Sequence, residues 1–179
     1  MSVIQVKDKK FTPYLSVSQI DEQVKRLAAE INKDYEGKSP LFIAILNGSF
    51  MFASDLFKEL TIEAEICFIK LASYKGTKST GQVITSIGLD ATLTGRHVII
   101  LEDIVDTGKT LHEFLPQLEN HQPASLKIAA LLHKPEALAY PIIIDYLGFN
   151  VPDKFLLGYG LDYDGFARNL KEIYQLSED

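Results

Sequence analysis

Seven residues in one short stretch carry the side chains best suited to chemistry: Glu102, Asp103, Asp106, Thr107, Gly108, Lys109 and Thr110. They lie within RHVIILEDIVDTGKTLHEFL, residues 96–115, which reads as a buried strand, a tight polar turn and a helix. A turn that opens a helix is a natural phosphate site. Its N–H groups have no partner inside the helix, and the helix dipole adds partial positive charge there. Lys109 supplies a full charge beside them. Glu102 and Asp103 would repel a bare phosphate, so they call for another partner: sugar hydroxyls, Mg²⁺, or both. The triplet Gly108-Lys109-Thr110 matches the end of a Walker A loop, but that motif needs glycine at position 103, where this chain has aspartate. An ATP-binding P-loop therefore does not fit. The bland alternative is a strand–turn–helix edged by solvated acids.

The elements that must hold these residues follow from the apolar spacing. Val98 to Leu101 is a continuous apolar run, as in a parallel strand covered on both faces, with Glu102 and Asp103 expected at its carboxyl end. Leu111, Phe114, Leu115 and Leu118 recur at i, i+3, i+4, i+7 and predict the following helix. Upstream, Ile20, Val24, Leu27 and Ile31 mark one face of another helix, with Ser16 or Ser18 as its cap. Leu41 to Leu46 predicts a buried strand, then Asn47-Gly48-Ser49 and a helix presenting Phe50, Ala53, Phe57 and Leu60 to the sheet. Ala64 to Ser73 reads as a strand, residues 75–82 (KGTKSTGQ) as a mobile polar loop, and Val83 to Gly88 as a returning strand. Further strands are expected near Leu126–Leu132, Ile142–Leu147 and Phe155–Leu157. This alternation predicts an α/β fold with a central, mainly parallel sheet flanked by helices.

Composition bounds the rest. A chain of 179 residues fits one domain over 1–179 and buries a sizeable core. One cysteine, Cys67, excludes an internal disulfide framework and suits a reducing, cytoplasmic compartment; its apolar surroundings make it a structural thiol. The opening MSVIQVKDKK lacks the apolar core of a signal peptide, and no apolar run is long enough to span a bilayer. A net charge of −6 argues against broad nucleic-acid binding. No nucleic-acid or membrane partner is expected.

The string EDIVDTGKT resembles the phosphoribosyl-pyrophosphate motif of type I phosphoribosyltransferases. Four more segments narrow the resemblance: ILNGSFMFASDL (45–56), LASYKGTKSTG (71–81), LLHKPEA (131–137) and VPDKFLLGYGLDYDGFARNL (151–170). In order and spacing they are similar to hypoxanthine and hypoxanthine-guanine phosphoribosyltransferases, from about Leu41 to Ile173. The resemblance implies the type I phosphoribosyltransferase fold, with a small hood and a flexible active-site loop. It also implies Mg²⁺ as cofactor, phosphoribosyl pyrophosphate and a 6-oxopurine base as small-molecule partners, and a homo-oligomer, dimer or tetramer.

The same resemblance assigns expected roles. Glu102 and Asp103 would fix the ribose hydroxyls, partly through metal, and Asp162 would contact a second Mg²⁺. Asp106 would act as base or acid at purine N7, while the backbone from Asp106 through Thr107, Gly108 and Lys109 to Thr110 holds the 5′-phosphate. Asn47 and Gly48 would cradle pyrophosphate around a non-proline cis peptide; relatives often carry Lys or Arg where this chain has Asn47. Ser73 and Tyr74 would start a lid that contacts pyrophosphate and keeps water from the sugar cation, and Arg168 would bind pyrophosphate too. Lys134 would donate to purine O6, Phe155 would stack on the base, and the peptide groups around Lys154 and Leu156 would read its edge, with Asp162 also in the purine-binding set. An ammonium has only donors, so it suits the oxo group of hypoxanthine or guanine and opposes the amino group of adenine. The implied reaction transfers 5-phosphoribose to N9 of the base, giving nucleotide and pyrophosphate. Two alternatives stand beside it: a xanthine-preferring enzyme, and a non-catalytic regulator of this family that binds nucleic acid.

Overall fold

A computed structural model describes residues 2–72, 84–87 and 92–177. Its centre is a sheet in the order β5-β4-β3-β6-β7-β8, comprising β3 (Leu41–Leu46), β4 (Glu65–Ala72), β5 (Ile84–Ile87), β6 (His97–Val105), β7 (Ser125–His133) and β8 (Tyr146–Asn150). Every neighbouring pair from β4 to β8 is parallel, and β5 alone joins antiparallel at the edge. Parallel strands of this kind need cover on both faces. Helices α1 (Val17–Asp34) and α2 (Phe50–Glu59) share one apolar cluster with Phe42, Ala44, Ile99 and Leu101. Helix α3 (Lys109–Glu119) covers Ile43, Ile100, Ile128 and Ala130 on the other face.

Helix α1 begins where its sequence says it should. Ser16 accepts from the Gln19 N–H at 3.3 Å, and the Gln19 side chain accepts from the Ser16 N–H at 2.9 Å. This reciprocal box satisfies two otherwise orphaned donors. Ile20, Val24, Leu27 and Ile31 are buried along one face, as their spacing predicts. The face of α2 is rotated from expectation: Phe52, Ala53 and Leu56 are buried, Phe57 and Leu60 pack at the margin, and Phe50 is exposed.

Two strands differ from the sequence reading. β6 does not stop at Leu101; it continues to Val105 because β7 extends alongside it, pairing Glu102 with Ala130 and Val105 with His133. Glu102 and Asp103 thus sit inside the strand, on a fixed pleat, rather than after it. The last strand of the sheet lies at Tyr146–Asn150 instead of Ile142–Leu147. Ile142 and Ile144 pack into the cluster under α3, and Ile143 is 82% exposed.

A second, antiparallel sheet forms the hood, in the order β1-β2-β10-β9: β1 (Ile4–Val6), β2 (Lys9–Leu15), β9 (Leu156–Leu157) and β10 (Ile173–Leu176). Here the chain start meets the chain end, with Phe11, Leu157 and Tyr174 as the centre of its small core. The expected strand near Phe155–Leu157 therefore belongs to the hood, and Phe155 precedes it.

Candidate functional site

The site gathers where β3 and β6 end beneath the hood. β3 runs into a cis peptide at Leu46–Asn47. Asn47 is exposed, while Gly48 and Ser49 are buried, with the Ser49 hydroxyl donating to the Ile45 carbonyl at 2.6 Å. A Cβ on Gly48 would lie 1.6 Å from Asp103 Oδ2, so any side chain there would have to displace that carboxylate. Gly160, at φ +100°, must be glycine for two reasons, since its Cβ would also meet the Gly48 carbonyl at 2.0 Å. The main chain at Gly48 is thus pressed between the Asp103 carboxylate and the segment at Gly160. That segment carries Arg168, whose guanidinium donates to the Gly160 carbonyl and to Asp162 Oδ1, both at 2.7 Å. The structure brings Asn47, Gly48, Asp103, Asp162 and Arg168 to one corner.

The phosphate turn is built as its sequence suggests. Glu102, Asp106, Thr107, Gly108, Lys109 and Thr110 line a recess in front of α3. Gly108 adopts φ +78°, a left-handed conformation that glycine reaches without cost, and a Cβ there would meet the Tyr140 carbonyl at 2.8 Å. The Thr107 carbonyl accepts from both the Ala139 and Tyr140 N–H groups at 3.0 Å. The loop after Lys134 thereby braces the turn from behind. Lys109 pairs with Glu113 at 3.8 Å.

Lys134 stands just past β7 with its backbone N–H on the Val105 carbonyl at 2.9 Å. It is only 8% exposed, and its Nζ lies 3.1 Å from Asp106 Oδ2 and 3.5 Å from Asp153 Oδ1. Phe155 is 45% exposed. Its ring meets Tyr163 edge-on at 5.8 Å and Phe11 at 6.3 Å. Tyr163 in turn donates to Asp8 Oδ1 at 2.8 Å, and Lys7 pairs with Asp164 at 2.9 Å. The turn of the N-terminal hairpin thus pins the ring that holds Phe155. Leu156 is buried in the hood. Asp153, Gly160 and Tyr163 were not picked out as site residues from sequence; only the paired glycines of Gly158-Tyr159-Gly160 hint at a strained approach. Ser73, Tyr74 and the loop at 75–82 lie outside the described residues.

Electrostatically, the acids of β6 are the unusual members. Burial, reinforced by the neighbouring Asp103, holds the Glu102 carboxyl well above the usual carboxylate range. Burial pushes Asp103 up to about 6, against the pull of the Ile104 N–H and of Arg168; Asp162 adds to the rise. Glu102 Oε2 is buried with no hydrogen-bond partner. Paired hard oxygens of this kind fit Mg²⁺, which takes one or two carboxylates and completes its shell with substrate phosphate oxygens and water. Among the described residues no cluster of three His, Cys, Asp or Glu side chains could hold a metal. A cation held here would need further ligands from substrate and solvent. Asp162 is already engaged: beyond Arg168, it accepts from the Gly165 N–H at 2.6 Å.

The recess can hold a phosphate, Lys134 beside Asp106 offers a donor to an oxo group, and Arg168 near Gly48 offers a guanidinium to an anion. Known proteins resemble this chain over most of its length. A family profile described as Phosphoribosyl transferase domain matches residues 16–164. The hypoxanthine-guanine-xanthine phosphoribosyltransferase of Tritrichomonas foetus is 42% identical over 160 residues, 89% of this chain and 87% of its own. The hypoxanthine-guanine phosphoribosyltransferase of Lactococcus lactis is 43% identical over 160 residues, again 89% and 87%. A crystal structure of a hypoxanthine phosphoribosyltransferase from Staphylococcus aureus superposes with a TM-score of 0.88 at 39% identity, covering 93% of this chain and 91% of that one.

The raised carboxyls carry a stability consequence. Because Asp103 keeps its proton to higher pH when folded, its stabilising effect is complete below the ordinary value of 3.8 and is lost as pH rises through about 6. In metal-free protein the loss from this one group is at most about 3 kcal/mol. Urea unfolding across that range should show stability falling with pH, and Asp103→Asn should flatten the slope. Equal slopes in both proteins would mean the carboxyl is not desolvated.

Proposed function

The chain belongs to the hypoxanthine-guanine phosphoribosyltransferase family, and from that premise we propose how its own residues divide the reaction. The protein is a purine salvage enzyme that transfers 5-phosphoribose from phosphoribosyl pyrophosphate to a purine base. The bond from C1′ to the pyrophosphate oxygen breaks, and a bond from C1′ to N9 forms, giving IMP from hypoxanthine and GMP from guanine. The observation that carries the assignment of roles is the Lys134–Asp106 pair, a buried ammonium 3.1 Å from an acid at the mouth of the phosphate turn. Such a pair places a donor for O6 beside a proton acceptor for N7.

The remaining roles follow from position. The turn from Asp106 to Thr110, with the hydroxyls of Thr107 and Thr110, holds the 5′-phosphate. Glu102 and Asp103 fix the ribose hydroxyls and hold Mg²⁺, which when bound neutralises charge on the departing pyrophosphate. Gly48 and Asn47 offer main-chain groups to that pyrophosphate, and Arg168 adds a guanidinium once it exchanges Asp162 for the anion. Asn47 itself contributes no charge. Phe155, packed against Phe11 and Tyr163 yet partly exposed, offers its ring to the purine. Asp106 takes the N7 proton while N9 attacks, so the base becomes nucleophilic without building up positive charge. Association into a homo-oligomer belongs to the same proposal; exposed Phe50 on α2 and Phe68 on β4 support it. A cytoplasmic setting is in keeping with the single cysteine, and no helix among the described residues is long and apolar enough to cross a membrane.

The deciding experiment is kcat/KM for hypoxanthine, guanine, xanthine and adenine at saturating phosphoribosyl pyrophosphate. Hypoxanthine and guanine should lead and adenine should trail by roughly 10⁴-fold, because a buried donor site rejects a mismatched base. Lys134→Ala should weaken the two 6-oxopurines by about 10- to 150-fold, the loss of a charged hydrogen bond, and narrow their lead over adenine. Equal losses for every base would assign Lys134 to the fold alone. A metal test is independent of base choice. Chelation should abolish turnover and added Mg²⁺ restore it, whereas full activity in excess chelator refutes the role given to Glu102 and Asp103.

A further inference from the structure

We propose that Asp153 is a positioning residue: it keeps the buried ammonium of Lys134 aimed at the purine during the moment when Asp106 serves N7. The proposal rests on the base-site roles given above to Lys134 and Asp106. Its ground is the geometry around Lys134 Nζ, which lies 3.1 Å from Asp106 and 3.5 Å from Asp153. The Lys134 side chain is 10% exposed, against 49% for Asp106 and 56% for Asp153. A buried ammonium left without a counter-charge is costly, so it follows whichever carboxylate stays charged.

Asp106 cannot be that constant partner. When it accepts the N7 proton its charge is gone, and the hydrogen bond to Lys134 loses its ionic character. O6 of the base is a neutral acceptor and does not replace it. Asp153 comes from a different segment, between β8 and β9, and touches no reacting atom in this scheme. Its side chain is more than half exposed, so water as well as Lys134 reaches its carboxylate. An ammonium has three donors. One goes to Asp106 at 3.1 Å, Asp153 faces the ammonium as an ion pair at 3.5 Å, and a donor is left for O6.

The backbone makes the second anchor a firm one. The Val151 N–H donates to the His133 carbonyl at 2.8 Å, tying the Asp153 segment to the residue just before Lys134. The Lys154 N–H donates to the Pro152 carbonyl at 2.8 Å, which closes a tight turn around Asp153. The Asp153 segment is therefore anchored beside Lys134, whose own N–H is held by the Val105 carbonyl just before Asp106. Without Asp153, the ammonium would lean on Asp106 alone and hold that carboxylate away from N7.

The test is a double-mutant cycle of wild type, Asp153→Asn, Lys134→Met and the double variant, read as kcat and KM for hypoxanthine and KM for phosphoribosyl pyrophosphate. Asp153→Asn should lower kcat by about five- to tenfold, the size of a coupling between residues in one ionic network, with the phosphoribosyl pyrophosphate KM nearly unchanged. Asp153→Glu should recover part of the loss. In the Lys134→Met background the same Asp153→Asn change should cost less than about twofold, since the group it positions is gone. An undiminished loss in that background, or no loss in the wild-type one, overturns the proposal. Wild-type use of hypoxanthine by Lys134→Met would overturn the base-site reading itself, and the role of Asp153 with it. Should Asp153→Asn fold poorly, Asp153→Ser carries the same cycle.

Discussion

Two adjacent acids on a central strand set the terms for the rest of this site. Glu102 and Asp103 lie on β6 between two parallel neighbours, one carboxyl oxygen is buried without a partner, and the packing of Gly48 presses main chain against the other acid. Carboxyls so placed resist ionisation. In the proposed reading they become anions when a cation and the sugar hydroxyls of the substrate arrive together. The glycine at 48, the glycine at 160 and the Asp162–Arg168 pair all follow from this arrangement, since each either permits the close approach or supplies charge to it.

A second constraint links the two ends of the substrate. The loop after Lys134 gives two N–H groups to the Thr107 carbonyl, and the Lys134 N–H is itself held by Val105. The phosphate turn and the base-reading ammonium therefore share one piece of backbone. Displacing either would displace the other, and in the proposed roles that coupling sets the distance from 5′-phosphate to purine. The hood adds the third boundary: through Asp8, Tyr163 and Phe11 it holds Phe155 without covering its face.

Much of this was legible in sequence, and the failures have physical causes. The strand–turn–helix at 96–118 was readable because its apolar spacing, turn residues and charges agree with one another. The extension of β6 through Glu102 and Asp103 was not, because it comes from pairing with β7, a non-local partner. The run Ile142–Ile144 reads as strand by composition, yet two of its members fill the space beneath the phosphate turn and the third faces solvent. The true strand contains Gly148, a poor strand former, because a Cβ there would meet the Leu131 carbonyl at 2.4 Å. The strands of the hood are short and pair across most of the chain, as Phe11 does with Leu176, so no local pattern announces them. The ammonium at 134 was identified by resemblance, but its second carboxylate at 153 became visible only in three dimensions.

The central claim is that the paired acids of β6 become fully charged when substrate and metal bind. Proton release measures this directly. Calorimetric titration of Mg²⁺ with phosphoribosyl pyrophosphate into the protein near pH 6, repeated in buffers of different ionisation enthalpy, counts the protons given up on binding. Subtracting the same titration of Asp103→Asn removes the protons contributed by the ligand. The account predicts that the wild-type protein releases more protons than the variant, by roughly half a proton at a pH equal to the Asp103 value of about 6. Identical release from both proteins would contradict it, for Asp103 would then be ionised before any cation reached it.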